Sequence, residues 1–159
     1  MAMHTWFECK IRYEKVMENG MQKKVTEPYL VDALSFTEAE ARIIEEMTPF
    51  ISGEFTVSDI KRANYSELFP SDEESADRWF KCKLIFITLD EKSGAEKKTS
   101  TQVLVQAADL RDAVKKLDEG MKGTMADYQI GMVSETPLMD VYPYSVEPND
   151  KPEFDPSKA

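Results

Sequence analysis

The sequence predicts an α+β domain made by tandem duplication of a strand-strand-helix-strand unit, with a mostly antiparallel sheet and helices packed on one side. Three observations carry that expectation. Trp6-Phe7-Glu8-Cys9-Lys10-Ile11-Arg12-Tyr13 returns as Trp79-Phe80-Lys81-Cys82-Lys83-Leu84-Ile85-Phe86, an offset of 73 (79 less 6). Leu30-Val31-Asp32-Ala33 returns as Leu104-Val105-Gln106-Ala107 at an offset of 74 (104 less 30), so one residue is gained in between. In both copies the apolar period changes in the same order, from two to about 3.6 and back to two.

The first segment of each copy alternates. Phe7, Cys9, Ile11 and Tyr13 share one face, and Phe80, Cys82, Leu84 and Phe86 share the matching one, the pattern of a half-buried strand. The opposite face of the second copy adds Ile85 and Ile87, which predicts a more central strand covered on both sides. Asn19-Gly20 and Ser93-Gly94 supply turns, the second one longer, which accounts for the gained residue. Second strands follow over Lys24 to Ala33 and Lys98 to Ala107. Pro28 removes a ladder donor and predicts an edge or a bulge there.

Ser35 and Asp109 then read as helix caps, each with a carboxylate three residues on, Glu38 and Asp112. Phe36, Ala39, Ile43 and Met47 form one apolar stripe, and Leu110, Ala113, Val114, Leu117 and Met121 form the other. Pro49, Gly120 and Gly123 stop the helices. Extended stretches from Phe55 to Ile60 and from Tyr128 to Val133 close the units, with short fourth strands near Leu68 and Val141. The expected organisation is repeat one at 1–70, an acidic surface linker at 71–78, and repeat two at 79–144 sharing one core with the first. An extended acidic tail containing Pro148, Pro152 and Pro156 occupies 145–159.

The formal net charge of −10 discourages loose adhesion to DNA or anionic lipid, while leaving room for a local basic face. Only two cysteines occur, Cys9 and Cys82, on the apolar faces of equivalent strands. They read as buried thiols rather than a secreted disulfide framework. No stretch approaches membrane-spanning length, so a cytoplasmic protein with no membrane partner is expected. The single histidine, His4, removes most histidine-based catalytic and metal schemes. The carboxylates fall in no metal or hydrolase spacing, and the six glycines form no phosphate loop. No catalytic residue, metal or cofactor is expected.

One pattern points to a ligand. Trp6, Lys10 and Arg12 share a strand face, and Trp79, Lys81 and Lys83 share the equivalent one. An aromatic beside cations at every second residue suits base stacking with phosphate contact. The competing reading folds each indole over the neighbouring unit and makes it core. The expected function is a non-enzymatic module that binds single-stranded nucleic acid or a nucleotide. The alternative is an acidic protein-binding module that inhibits or recruits a host enzyme. Glu8, Arg12 and Glu40 are answered by Lys81, Ile85 and Val114. Function is therefore sought on the first copy and at the junction.

Trp6-Phe7-Glu8-Cys9-Lys10, Tyr29-Leu30-Val31-Asp32-Ala33 before Ser35-Phe36-Thr37-Glu38-Ala39-Glu40-Ala41, and Asp140-Val141-Tyr142-Pro143-Tyr144 resemble an uncharacterised family. It is a domain of unknown function found in Bacteroides-type gut anaerobes and in their phages and mobile elements. The resemblance spans residues 3–144. It implies a cytoplasmic accessory protein associated with such elements, and it transfers no site residue.

Overall fold

The computed structural model describes residues 5–143, which form two four-stranded sheets, each carrying one helix. His4 and the tail at 145–159 lie outside the described residues. The first half runs β1 (Trp6–Val16), β2 (Gln22–Asp32), α1 (Phe36–Met47), β3 (Phe55–Ala63) and β4 (Glu67–Phe69). The second half runs β5 (Arg78–Leu89), β6 (Glu96–Ala107), α2 (Leu110–Gly120), β7 (Tyr128–Glu135) and β8 (Asp140–Tyr142).

The sheet orders are β3-β1-β2-β8 and β4-β6-β5-β7. Each half therefore lends its short last strand to the other. β4 pairs in parallel with β6, Leu68 opposite Leu104, and β8 pairs in parallel with β2, Val141 opposite Leu30. All other pairings are antiparallel.

Local chemistry sets the hairpins. In the first turn the Met17 N–H donates to Met21 O at 2.8 Å and the Gly20 N–H to Met17 O at 2.9 Å. Gly20 has φ +83°, a conformation that side chains beyond glycine rarely adopt. The longer second turn closes with the Asp90 N–H on Ala95 O at 2.8 Å. Pro28 is accommodated opposite Lys10 without a register shift, just outside the three residues that pair with β8. The bulge expected at Pro28 falls on β3 instead, where Asp59 and Val57 oppose Lys10 and Ile11 and leave Ser58 between them. β7 bulges at the equivalent place, leaving Gly131 between the partners of Lys83 and Leu84.

Both caps form as the side chains dictate. Ser35 Oγ accepts from the Glu38 N–H at 3.1 Å, and Asp109 Oδ1 from the Asp112 N–H at 2.8 Å. Glu38 and Asp112 reach back to the N–H groups of Leu34 and Ala108, so donors at each helix start are satisfied from both directions.

Three apolar clusters result. α1 covers Phe7, Cys9, Ile11 and Val31 on one sheet, and α2 covers Phe80, Cys82, Leu84 and Val105 on the other. The third cluster joins the opposite faces of the two sheets through Trp6, Leu30 and Val141 against Trp79, Leu104 and Leu138, with Leu68 and Tyr65 at its margin. The single sheet with helices on one side is thereby corrected to two sheets packed back to back with a helix on each outer face. Period-two alternation places a second apolar set on the inner faces, and only sheet-on-sheet packing buries it.

One further expectation changes. β5 is no more central than β1, since both lie second from an edge. Ile85 and Ile87 are half-buried on the inner face rather than covered, and Ile85 reaches over the bulge at Gly131. The acidic segment at 71–78 runs along the surface, with residues 72–75, 77 and 78 exposed, and is tied to the second half at a few points. Ala76 is buried, the Ser71 N–H donates to Gln106 Oε1 at 2.9 Å, and Lys116 pairs with Glu73 at 2.7 Å and Asp112 at 3.0 Å.

Candidate functional site

Trp6 and Trp79 are 2% and 5% exposed, at the centre of the cluster between the sheets. Their expected role as stacking surfaces is corrected: neither indole has a face open to a base. Removing either should cost about 3–5 kcal/mol, as for other buried large aromatics. The four cations expected beside them continue along the same inner faces. Lys10 and Lys81 are half-buried, and Arg12 and Lys83 are exposed. The structure thus separates the six residues into an apolar joint and two short basic rows.

An exposed apolar surface with a cavity beside it lies on the first half. At the β1–β2 turn, Val16 and Met21 are 65% and 66% exposed, with Met17 beside them. Next to them a cavity of about 630 Å³ opens between the hairpin and the loop entering β3. Arg12, Glu14, Gln22 and Lys24 line one side, and Glu54 and Phe55 the other. Methionine side chains adapt to varied apolar partners, and contiguous exposed apolar residues are characteristic of contact surfaces. On the other hairpin Leu89, also 65% exposed, answers Val16, while the turn itself has Asp90, Glu91, Lys92 and Ser93 in place of the methionines.

Under the end of α1 lies a polar cluster that the sequence reading missed. Glu27 Oε1 accepts from the Tyr13 hydroxyl at 2.9 Å and from the Tyr29 hydroxyl at 3.2 Å, while Lys15 Nζ donates to Oε2 at 3.4 Å. Tyr142, on the borrowed β8, stacks on Tyr29 at 6.2 Å between ring centroids. Period-two spacing was the available signal, because Glu27 shares its strand face with Tyr29, Val31 and Ala33. Burial, then the hydrogen bond to Glu27, pushes the Tyr13 phenol up to about 12. Burial and the neighbouring Glu27 also raise Tyr29. These phenols stay protonated donors at neutral pH.

The thiols behave likewise. Burial raises Cys9 to about 12, with help from Glu8 and Asp59, and burial alone raises Cys82 to about 11. They sit in different cores, one under each helix, so they do not form a redox pair. Among the described residues no three His, Cys, Asp or Glu side chains are grouped to hold a metal, and no helix is long and apolar enough to cross a membrane.

The family model described as a domain of unknown function, DUF4494, matches residues 5–144. Neither the comparison with curated proteins nor that with solved structures finds a match. The chain belongs to the DUF4494 family.

Proposed function

We propose that this DUF4494 protein is a non-catalytic module that docks a protein partner on the hairpin end of its first half. The observation that carries the reading is the exposed Val16-Met17-Met21 surface beside a cavity of about 630 Å³. A partner would seat an apolar anchor in that cavity and meet Arg12, Lys24, Glu14 and Glu54 at its rim. The net charge of −10 steers a basic partner toward it, an attraction that salt weakens. Two free, buried cysteines fit action in the reducing cytoplasm. Origin of the two halves by duplication is supported by their identical element order and by bulges at equivalent places, Ser58 and Gly131.

The test is site-specific photo-crosslinking in extract of the native host, with the probe placed at Met21 or, on the other hairpin, at Glu91. The reading expects one defined adduct from Met21 that is lost in Val16→Ser/Met17→Ser and absent from Glu91. Equal adducts from both positions, or none from Met21, would sink it.

A second reading, contact with single-stranded nucleic acid, is favoured by the basic rows Lys10 with Arg12 and Lys81 with Lys83. It expects oligonucleotide binding at low salt that weakens in Arg12→Ala and Lys83→Ala while Trp6 and Trp79 remain buried.

A further inference from the structure

The outward faces of the two helices carry different chemistry at the same positions. Opposite its buried Ala39, Ile43 and Met47, α1 presents Thr37, Ala41, Ile44 and its cap Thr48. On α2 the first three places hold Arg111, Lys115 and Asp118, with Lys122 just past the helix end. All eight residues are exposed. We infer that this face of α1 docks a basic amphipathic helix of a protein partner, an inference that rests on the reading of the protein as a docking module and adds a second contact on the same half.

The α2 face is that of a solvated helix, with charges of both signs on successive turns. α1 has an uncharged track instead. Ile44 is 42% exposed, and the Thr48 hydroxyl donates to Ile44 O at 2.6 Å, so it asks nothing of a partner. Ala41 lets a second helix approach closely, as packing of ridges into grooves requires. Past the helix, Phe50 is 76% exposed and is tied to the last turn by its N–H on Met47 O at 2.9 Å. Two residues on, Ser52 begins the wall of the hairpin cavity. The track leads from the middle of α1 to the surface that the hairpin reading already gives to a partner.

Charge decides the occupant. At helical spacing Glu40 and Glu45 border the track, one on each side, and both are exposed. Among the described residues neither makes an ion pair. Arg42, the one cation of the helix, donates to Asp32 O and Pro143 O instead. Acids on both borders repel nucleic acid and anionic lipid. They also oppose a second copy packed through the same face, because each α1 would set Glu40 and Glu45 against those of the other. A helix with lysine or arginine along the borders of an apolar face fits both the track and its rims.

The probe is a synthetic helix of leucine, alanine and lysine, its lysines bordering one apolar face. The same peptide with glutamate for lysine is the control. Titrated into the full chain, the lysine peptide should saturably shift the backbone amide resonances of Ala41, Ile44, Thr48 and Phe50 and leave those of Arg111, Lys115 and Asp118 in place. The glutamate peptide should shift none of them. Ile44→Ser should weaken binding about tenfold, as loss of an aliphatic contact predicts, and Glu40→Gln with Glu45→Gln about fivefold at low salt. Lys115→Ala on α2 should bind as the wild type does. No shift, shifts spread over the acidic surface at large, or binding unchanged in Ile44→Ser would overturn the inference. The Met21 photo-adduct does not depend on this peptide. Its absence sinks the hairpin contact alone, and a failed titration beside a defined Met21 adduct sinks the α1 contact alone.

Discussion

The sheet positions facing α1 and those facing α2 share a register and differ in chemistry. Tyr13, Glu27, Tyr29 and Tyr142 in the first sheet are answered by Phe86, Thr101, Val103 and Phe69 in the second. Around the rings the helices differ too. Gly120 leaves room for Phe69, whose ring atoms lie 2.8 Å from where a Cβ would stand. Glu46 occupies the corresponding turn of α1 and helps raise the Tyr142 phenol, after burial and Asp140, to about 12. The lesson is that one backbone supports either a hydrogen-bonded or an apolar cluster beside a borrowed strand and a helix. The hydrogen-bonded version lies in the half that also carries the Val16-Met17-Met21 surface and the cavity beside it.

The hardest test separates the halves. Residues 5–70 and 71–143 expressed singly should give no cooperative unfolding transition, because each lacks its borrowed strand and exposes one indole of the joint. Mixed, they should recover a folded complex by circular dichroism. A folded 5–70 alone would break the comparison at its root.

Within the intact chain, Leu30→Ala and Leu104→Ala remove equivalent fully buried side chains from the joint. Each should cost about 2–5 kcal/mol in denaturant unfolding, in one transition for the whole molecule. Two separated transitions would show the halves to be energetically independent.

A smaller effect distinguishes the two helix faces. Glu27→Ala strands two partly buried phenol donors and should cost about 1–3 kcal/mol. Thr101→Val gives up one hydrogen bond at an exposed site and should cost about 0.5 kcal/mol or less. Equal costs would mean that the polar cluster adds nothing over apolar packing.

The smallest difference appears only in alkali. Tyr13 and Tyr142 have folded pKa values of about 12 against an ordinary value of 10.0, so the neutral phenol is the form the fold favours. Their contribution is present in full below pH 10 and is lost as pH rises through about 12. Tyrosinate absorbance should therefore develop later in the native protein than in urea, and Glu27→Gln should bring part of it forward. Coincident native and denatured titrations would remove the linkage.

Much of the scaffold was legible because its signals are local. Alternation from Phe7 to Tyr13, the caps at Ser35 and Asp109, and the stripe through Ala39, Ile43 and Met47 each depend on neighbours within one element. What escaped depends on pairing across the chain. Nothing within Glu67–Phe69 or Asp140–Tyr142 specifies which half it joins, because the same alternation serves either edge. The destination of both strands decided the role of Trp6 and Trp79, since the exchange draws the inner faces together and covers the indoles. The polar cluster around Glu27 needed Tyr142, which is far away in sequence.

The exchange of short strands also fixes a sequence of events in time. Synthesis runs from the N-terminus, so β1, β2 and α1 emerge long before the residues that pair with Tyr29, Leu30 and Val31. The outer edge of β2 at those residues waits unpaired while the whole second half is being translated. β6, by contrast, finds β4 already made when it appears. The newborn first half is thus the aggregation-prone one, and the last strand described, Asp140–Tyr142, is the one that ends its exposure.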